Sequence, residues 1–224
     1  MKICAIAKPV TGFTLVELSI VLVIVALLIG GMLIPLSAQK DIQNINDTNK
    51  RLAEIKEALL GFAIINLRLP CPTTQADPAN VGYGIEDATC ANVEGYLPWK
   101  SLGVSEVDAW GVKRSLVSDP FIGYWRYRAD NAFSATSPPI TLSTVPNSGF
   151  VIQDGAGNAL TQASPNSPIA IIYSAGPDLI ANGQNAAVDT TYQAGERSPA
   201  FDDIAIWLGR PLLFNRLVSA GKLP

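Results

Sequence analysis

Gly12-Phe13-Thr14-Leu15-Val16-Glu17-Leu18 (GFTLVEL) leads into LSIVLVIVALLIGGMLIPLSA, a run of 21 residues from Leu18 to Ala38 without a single charge. A helix of that length rises roughly 31 Å at about 1.5 Å per residue, the thickness of a bilayer's hydrocarbon core. Core helices of soluble domains are rarely apolar on every face for so long. The run therefore predicts a transmembrane helix over residues 13–38. A secretory signal peptide is the alternative, and it would have a shorter apolar region ending at a small-x-small cleavage site. Ser37 and Ala38 offer such a site weakly, but the run is too long and holds Glu17 near its start. Lys2 and Lys8, in the twelve residues before Phe13, form a positive flank that keeps the N-terminus cytoplasmic.

A small residue at Gly12, then Phe13, then an acid four residues later and a span behind it: this order resembles the processing site of type IV prepilins and pseudopilins. The resemblance implies a leader peptide over residues 1–12, cleavage by prepilin peptidase between Gly12 and Phe13, and N-methylation of Phe13. It also implies that Glu17 pairs with the free α-amine of a neighbouring subunit as a filament grows. That amine exists only after cleavage, so processing and assembly are chemically linked. A carboxylate at the edge of a span costs a few kcal/mol unless it snorkels or finds a partner, and snorkelling is the blander reading of Glu17.

Charge and residue usage narrow the function. Lys and Arg total 16 and Asp and Glu total 19, a net charge of −3; loss of residues 1–12 removes two lysines and no acid. That balance argues against a general nucleic-acid binder, which needs a basic face to replace phosphate counterions. With no histidine in the chain, His-dependent triads and His-ligated zinc are excluded. Cys4 would leave with the leader, so the mature chain keeps Cys71 and Cys90. Either these are two buried thiols, or they pair on the side of the membrane where disulfides persist. The intervening stretch is rich in Pro, Gly and Asp and has little apolar core of its own, which favours the disulfide.

Beyond the span, residues 39–68 read as an amphipathic continuation of the helix. Ile42, Ile45, Leu52, Ile55, Leu59 and Phe62 recur at three- and four-residue steps. Pro35 predicts a weakened or kinked turn within the apolar part, and Pro70 and Pro72 predict an end near Arg68. Residues 69–224 form the remaining globular domain. Its first part is loop-rich, and LPWKSLG followed by VDAWG resembles the connecting segment of pseudopilins, where a Trp-Gly turn leads into the first strand. Trp99 and Trp110 suggest core packing before they suggest a carbohydrate platform. Strand signals follow at Phe121–Tyr127, Gly149–Gln153 and Ile169–Tyr173, with turn chemistry between them. Consecutive short strands with hairpin-like connections predict an antiparallel sheet packed on the helix, an α+β fold, and the resemblance implies that it is pilin-like. Pro211, an apolar face at Leu212, Leu213, Leu217 and Val218, and Gly221 predict a short C-terminal helix.

YSAGPD at Tyr173–Asp178 and the later DDI at Asp202–Ile204 resemble the calcium loop of the major pseudopilin of type II secretion. Carried over residue by residue, Ser174, Asp178, Asp202 and Asp203 are the candidate metal ligands, with calcium as the cofactor. Here 23 residues separate Asp178 from Asp202, where the family has a short glycine-rich connection. Asx turns and capping are the other role open to these acids.

The resulting expectation is a structural subunit of a type IV filament system, a pseudopilin of type II protein secretion, and not an enzyme. A minor type IV pilin at a filament tip is the alternative. The partners implied are other pilin or pseudopilin subunits, prepilin peptidase and an inner-membrane assembly platform, with no nucleic acid. The location implied is the bacterial inner membrane, single-pass, with a cytoplasmic leader and a periplasmic domain. A membrane-anchored binding domain or enzyme is the rival class, but no nucleophile–base pair, spaced metal cluster or phosphate loop supports it. Asp202 and Asp203 are adjacent and would point to opposite faces of a strand, so they make no glycosidase pair.

Overall fold

The structure, a computed structural model, describes residues 12–134 and 139–224 of the chain, with side chains throughout except at residues 31–36. The leader before Gly12, with Lys2 and Lys8, lies outside the described residues. Contacts divide the chain into two compact units, Met1–Gln43 and Asn44–Pro224. One helix, α1 (Leu15–Asn66), runs through the boundary.

In the first unit every large apolar side chain from Leu15 to Ile29 is exposed. The backbone is helical through Pro35, whose side chain is among those not described. Among the described residues no helix is long and apolar enough to cross a membrane. Described side chains in this run stop at Gly30 and resume at Ser37, inside the uncharged stretch.

The second unit is built on a four-stranded antiparallel sheet of order β1-β4-β6-β8. Its strands are β1 (Glu94–Tyr96), β4 (Arg126–Ala129), β6 (Pro168–Ser174) and β8 (Ile204–Gly209). Every residue of β6 is buried, because both faces of the sheet are covered and the central strand must be apolar on both. On one face Ile169, Ile172 and Tyr127 join Leu52, Ile55, Leu59, Leu60 and Ala63 of α1 in the main core. On the other face Ile171 and Tyr173 pack with Phe150, Ile152 and Tyr192. Within this unit, that stripe of α1 is what holds the helix to the sheet. At its end Leu67 takes a left-handed backbone (φ 53°), so the helix stops at Asn66, two residues before Arg68. Ile42, which the periodicity places on the apolar stripe, is exposed.

The α+β class, with a long N-terminal helix, an antiparallel sheet and a short C-terminal helix α4 (Arg210–Ser219), is the one the sequence predicts. The C-terminal end of α4 is a Schellman motif: Gly221 N–H donates to Val218 O and Lys222 N–H to Leu217 O, with Gly221 at φ 66°. Three expectations are corrected. The stretch Phe121–Tyr127 is not one strand but two, β3 (Ile122–Tyr124) and β4, which belong to different sheets. Trp125 separates the two, and within β3 Gly123 lets the strand approach Gly111 closely. The φ of Gly123 is 66°, and a Cβ there would lie 2.3 Å from Gly111 Cα. VDAWG is no turn, since Val107–Val112 forms β2, the partner of β3. Nor are the strands joined as consecutive hairpins. Between β4 and β6 the chain makes the short helix α3 (Asn131–Ser134) and β5 (Val151–Gln153). β5 pairs in parallel with β7 (Thr191–Gln193) off the main sheet.

The long connection that precedes the second sheet is tied down locally. Cys71 and Cys90 form a disulfide. Arg68 grips Glu86 through two bonds of 2.7 and 2.9 Å, and Glu86 accepts the Cys71 amide. Helix α2 (Trp99–Leu102) begins with Trp99, which is buried among Tyr83, Val107 and Tyr124. Trp99 is thus core, as its burial payload suggests, whereas Trp110 is half-buried.

Candidate functional site

Two groups of residues carry the chemistry that the sequence points to, one at each end of the chain. At the N-terminal end, Thr14 is the N-cap of α1. The Glu17 amide donates to Thr14 Oγ1 at 3.2 Å, while Glu17 Oε2 accepts the Thr14 amide at 2.8 Å and the Thr14 hydroxyl at 2.9 Å. This reciprocal arrangement is a capping box, and it satisfies donors that a helix start otherwise leaves unpaired. It begins the helix two residues after Phe13, so the bond between Gly12 and Phe13 lies in non-helical chain. The carboxylate is held at the helix start, next to the position where cleavage would create an α-amine. Phe13 itself is exposed.

The second group lies where β6 ends and β8 begins, an antiparallel junction in which Ser174 pairs with Ile204. Asp202 Oδ2 accepts the Asp178 amide at 3.3 Å. Asn182 joins the two acids: its side-chain amide donates to Asp178 Oδ2 at 3.2 Å and its Oδ1 accepts the Asp202 amide at 3.2 Å. Asp203 points the other way along the extended chain. Its Oδ2 accepts the Asn182 amide at 3.1 Å and the Asn185 side-chain amide at 2.8 Å. Gly176 (φ 69°) is required between them, because a Cβ would meet Asp202 O at 2.6 Å and its carboxyl carbon at 2.9 Å. The second oxygens of Asp202 and Asp203 are both buried and without a hydrogen-bond partner. Burial raises both carboxyls, Asp203 to about 6, and the neighbouring acids add to the rise in each.

Ser174 is not part of this group. It is buried, and its hydroxyl donates to Asp108 Oδ2 at 2.6 Å while accepting the Gly176 amide. Asn182 and Asn185 are the members of the group, and Asp108 the partner of Ser174, that sequence reasoning missed. Asp108 sits in VDAWG, and the amides lie in the 23-residue interval, where only the fold shows which way they face. Among the described residues no group of three or more acid, thiol or imidazole side chains is arranged to hold a metal ion.

The interval itself is folded. A short 3-10 turn (Gly183–Ala186) leads to β7, and both are fastened to the sheet by a buried polar cluster around Glu94. Glu94 accepts the Tyr192 hydroxyl at 2.5 Å and the Tyr173 hydroxyl at 3.0 Å, and pairs with Arg126 at 2.6 Å. Such a pair is stable because its remaining lone pairs are also bonded.

Residues 8–33 match the family described as the prokaryotic N-terminal methylation motif, the leader signature of prepilins and pseudopilins. The match spans the capping box and supports a membrane-anchored, pilin-like filament subunit processed by prepilin peptidase. Comparison with curated proteins and with solved structures finds no match to the chain.

Proposed function

We propose that the chain is a structural subunit of a type IV filament system, a pseudopilin of type II protein secretion that is cut after Gly12 and methylated on Phe13. The observation that carries this reading is the leader signature over residues 8–33, with Glu17 held at the helix start inside it. Apolar helices bundle at the filament axis, where an unmatched charge is expensive, and Glu17 sets the register by meeting a neighbour's amine. The periplasmic domain faces outward. The branch toward type II secretion rests on YSAGPD and DDI, and on the convergence of Asp178 with Asp202.

The same loop supports calcium as its ligand. The buried, unpaired second oxygen of Asp202 fits a hard, oxygen-seeking cation, which Asp178 and Asp202 would hold with carbonyl or water oxygens while Asp203 faces away. Bound there, the cation would neutralise the paired acids Asp178 and Asp202.

Glu17 is the test. Glu17→Gln keeps size and polarity but removes the charge. The variant should be inserted in the membrane and cut to begin at Phe13, as intact mass would show, yet fail to form crosslinked oligomers or to support secretion. Normal assembly by Glu17→Gln would defeat the filament reading, and a mature terminus at or beyond Gln39 would show ordinary signal cleavage instead.

A further inference from the structure

The two edges of the main sheet are treated differently. The outer side of β1 is already bridged by Thr73, with Thr73 N–H donating to Tyr96 O at 2.8 Å and Tyr96 N–H to Thr73 O at 3.0 Å. β8 has a strand on one side only. Five of its six residues are half-exposed, while all of β6 is buried. Ile204-Ala205-Ile206-Trp207-Leu208-Gly209 contains no lysine, no proline and no charge, the devices that normally blunt an edge. The irregularity in this ladder falls on the β6 side, between Pro168 and Ala170, so β8 itself stays regular.

Where β8 runs into α4 there is a cavity of about 620 Å³. Pro168, Trp207, Pro211 and Phe214 give it an apolar lining, shared with the neutral polar Thr161, Gln162 and Asn166. Arg210 is its one charged lining residue. Arg210 bonds to the carbonyls of Leu142 and Thr144 and stacks on Phe214, but makes no ion pair among the described residues.

We propose that β8 accepts an extended segment of a partner protein as an added strand, with a large apolar side chain in the cavity and a carboxylate beside Arg210. Unpaired backbone groups along an edge are satisfied only by another extended chain, and a pocket at the edge selects which side chain is admitted. The cavity's single charge is positive and no acid lines it, so the segment is acidic at the end that meets α4 and uncharged along the rest. This property is independent of the filament reading and does not require it.

The probe is a synthetic peptide copying residues 202–209 of this chain, whose two acids precede an uncharged run. Laid antiparallel to β8, its acids reach Arg210. The full chain in detergent micelles should bind it saturably, and hydrogen exchange at residues 204–209 should slow. Arg210→Gln, which keeps donors for the Leu142 and Thr144 carbonyls, should weaken binding by about tenfold, the worth of one charge-assisted hydrogen bond. The same peptide with Ile206→Pro should not bind, because proline removes a ladder donor. Absence of saturable binding, equal binding of the proline peptide, or binding that leaves exchange at 204–209 unchanged would each overturn the proposal.

Discussion

Asp203 is only 2% exposed, and burial raises its carboxyl to about 6 from an ordinary 3.8. The folded chain thus holds this proton more tightly than the unfolded chain does. The stability it contributes is complete below about 3.8 and is lost as pH rises through about 6. In chelator, the full chain in detergent should therefore become more stable to urea as pH falls from 7.5 to 5. Asp203→Asn should remove up to about 1.4 kcal/mol of that gain, because pH 5 lies only about one unit below 6. Asp108 and Asp202 shift in the same direction through burial, so the difference between wild type and variant is the readout. Equal pH slopes would show that Asp203 is not held as described. At pH 7.5 calcium should stabilise the wild type against urea by about 2.7 kcal/mol at a hundredfold excess over Kd, and chelator should reverse it. Asp202→Asn should abolish that response. The candidate acids were legible from YSAGPD and DDI, but Ser174 was not: its hydroxyl turns to Asp108, a partner 66 residues away. Local pattern carries no signal for a contact of that range.

Among the elements, the Cys71–Cys90 link closes a sequence separation of 19 residues in a stretch with few apolar side chains of its own. The double variant Cys71→Ser, Cys90→Ser should lose roughly 3 kcal/mol on the chain-entropy estimate, measured by urea unfolding of the full chain without reductant. A midpoint equal to that of the wild type would mean that the Arg68–Glu86 grip and the main core already order the segment. Elements with strong local grammar were legible. α4 carries Pro211 at its start and Gly221 just past its end, and α1 carries a stripe at Leu52, Ile55 and Leu59. β8 gives no clear strand signal, because its apolar run follows two acids whose pattern reads as a loop. The close pairing of β3 with β2, where Gly123 approaches Gly111, and the split from β4 at Trp125 are announced by no alternation within Phe121–Tyr127.

Across the second unit as a whole, burial is graded. Among the described residues, the core shared by α1 and the sheet contains eighteen buried residues, whereas the core beneath the 179–201 interval contains six. Native-state hydrogen exchange should therefore be slowest in β6 and in residues 52–63, and faster by orders of magnitude in β5 and β7, because smaller clusters open at lower free energy. Uniform protection would mean that the Glu94 cluster makes the two layers one cooperative unit. The layered α+β plan was legible from the helix stripe and the strand signals. The second layer was not, since β5 and β7 are three residues each and pair across 40 positions. The junction of Ser174 with Ile204 has a consequence for what this scaffold tolerates. Both ends of the interval are pinned side by side in the sheet, so the interval is an excursion that leaves and returns to the same place. Doubling the length of such an excursion costs only about 0.6 kcal/mol in closure entropy. A foreign epitope spliced near Val188, which is exposed, would decorate one face of the domain while the helix on the other face kept its packing.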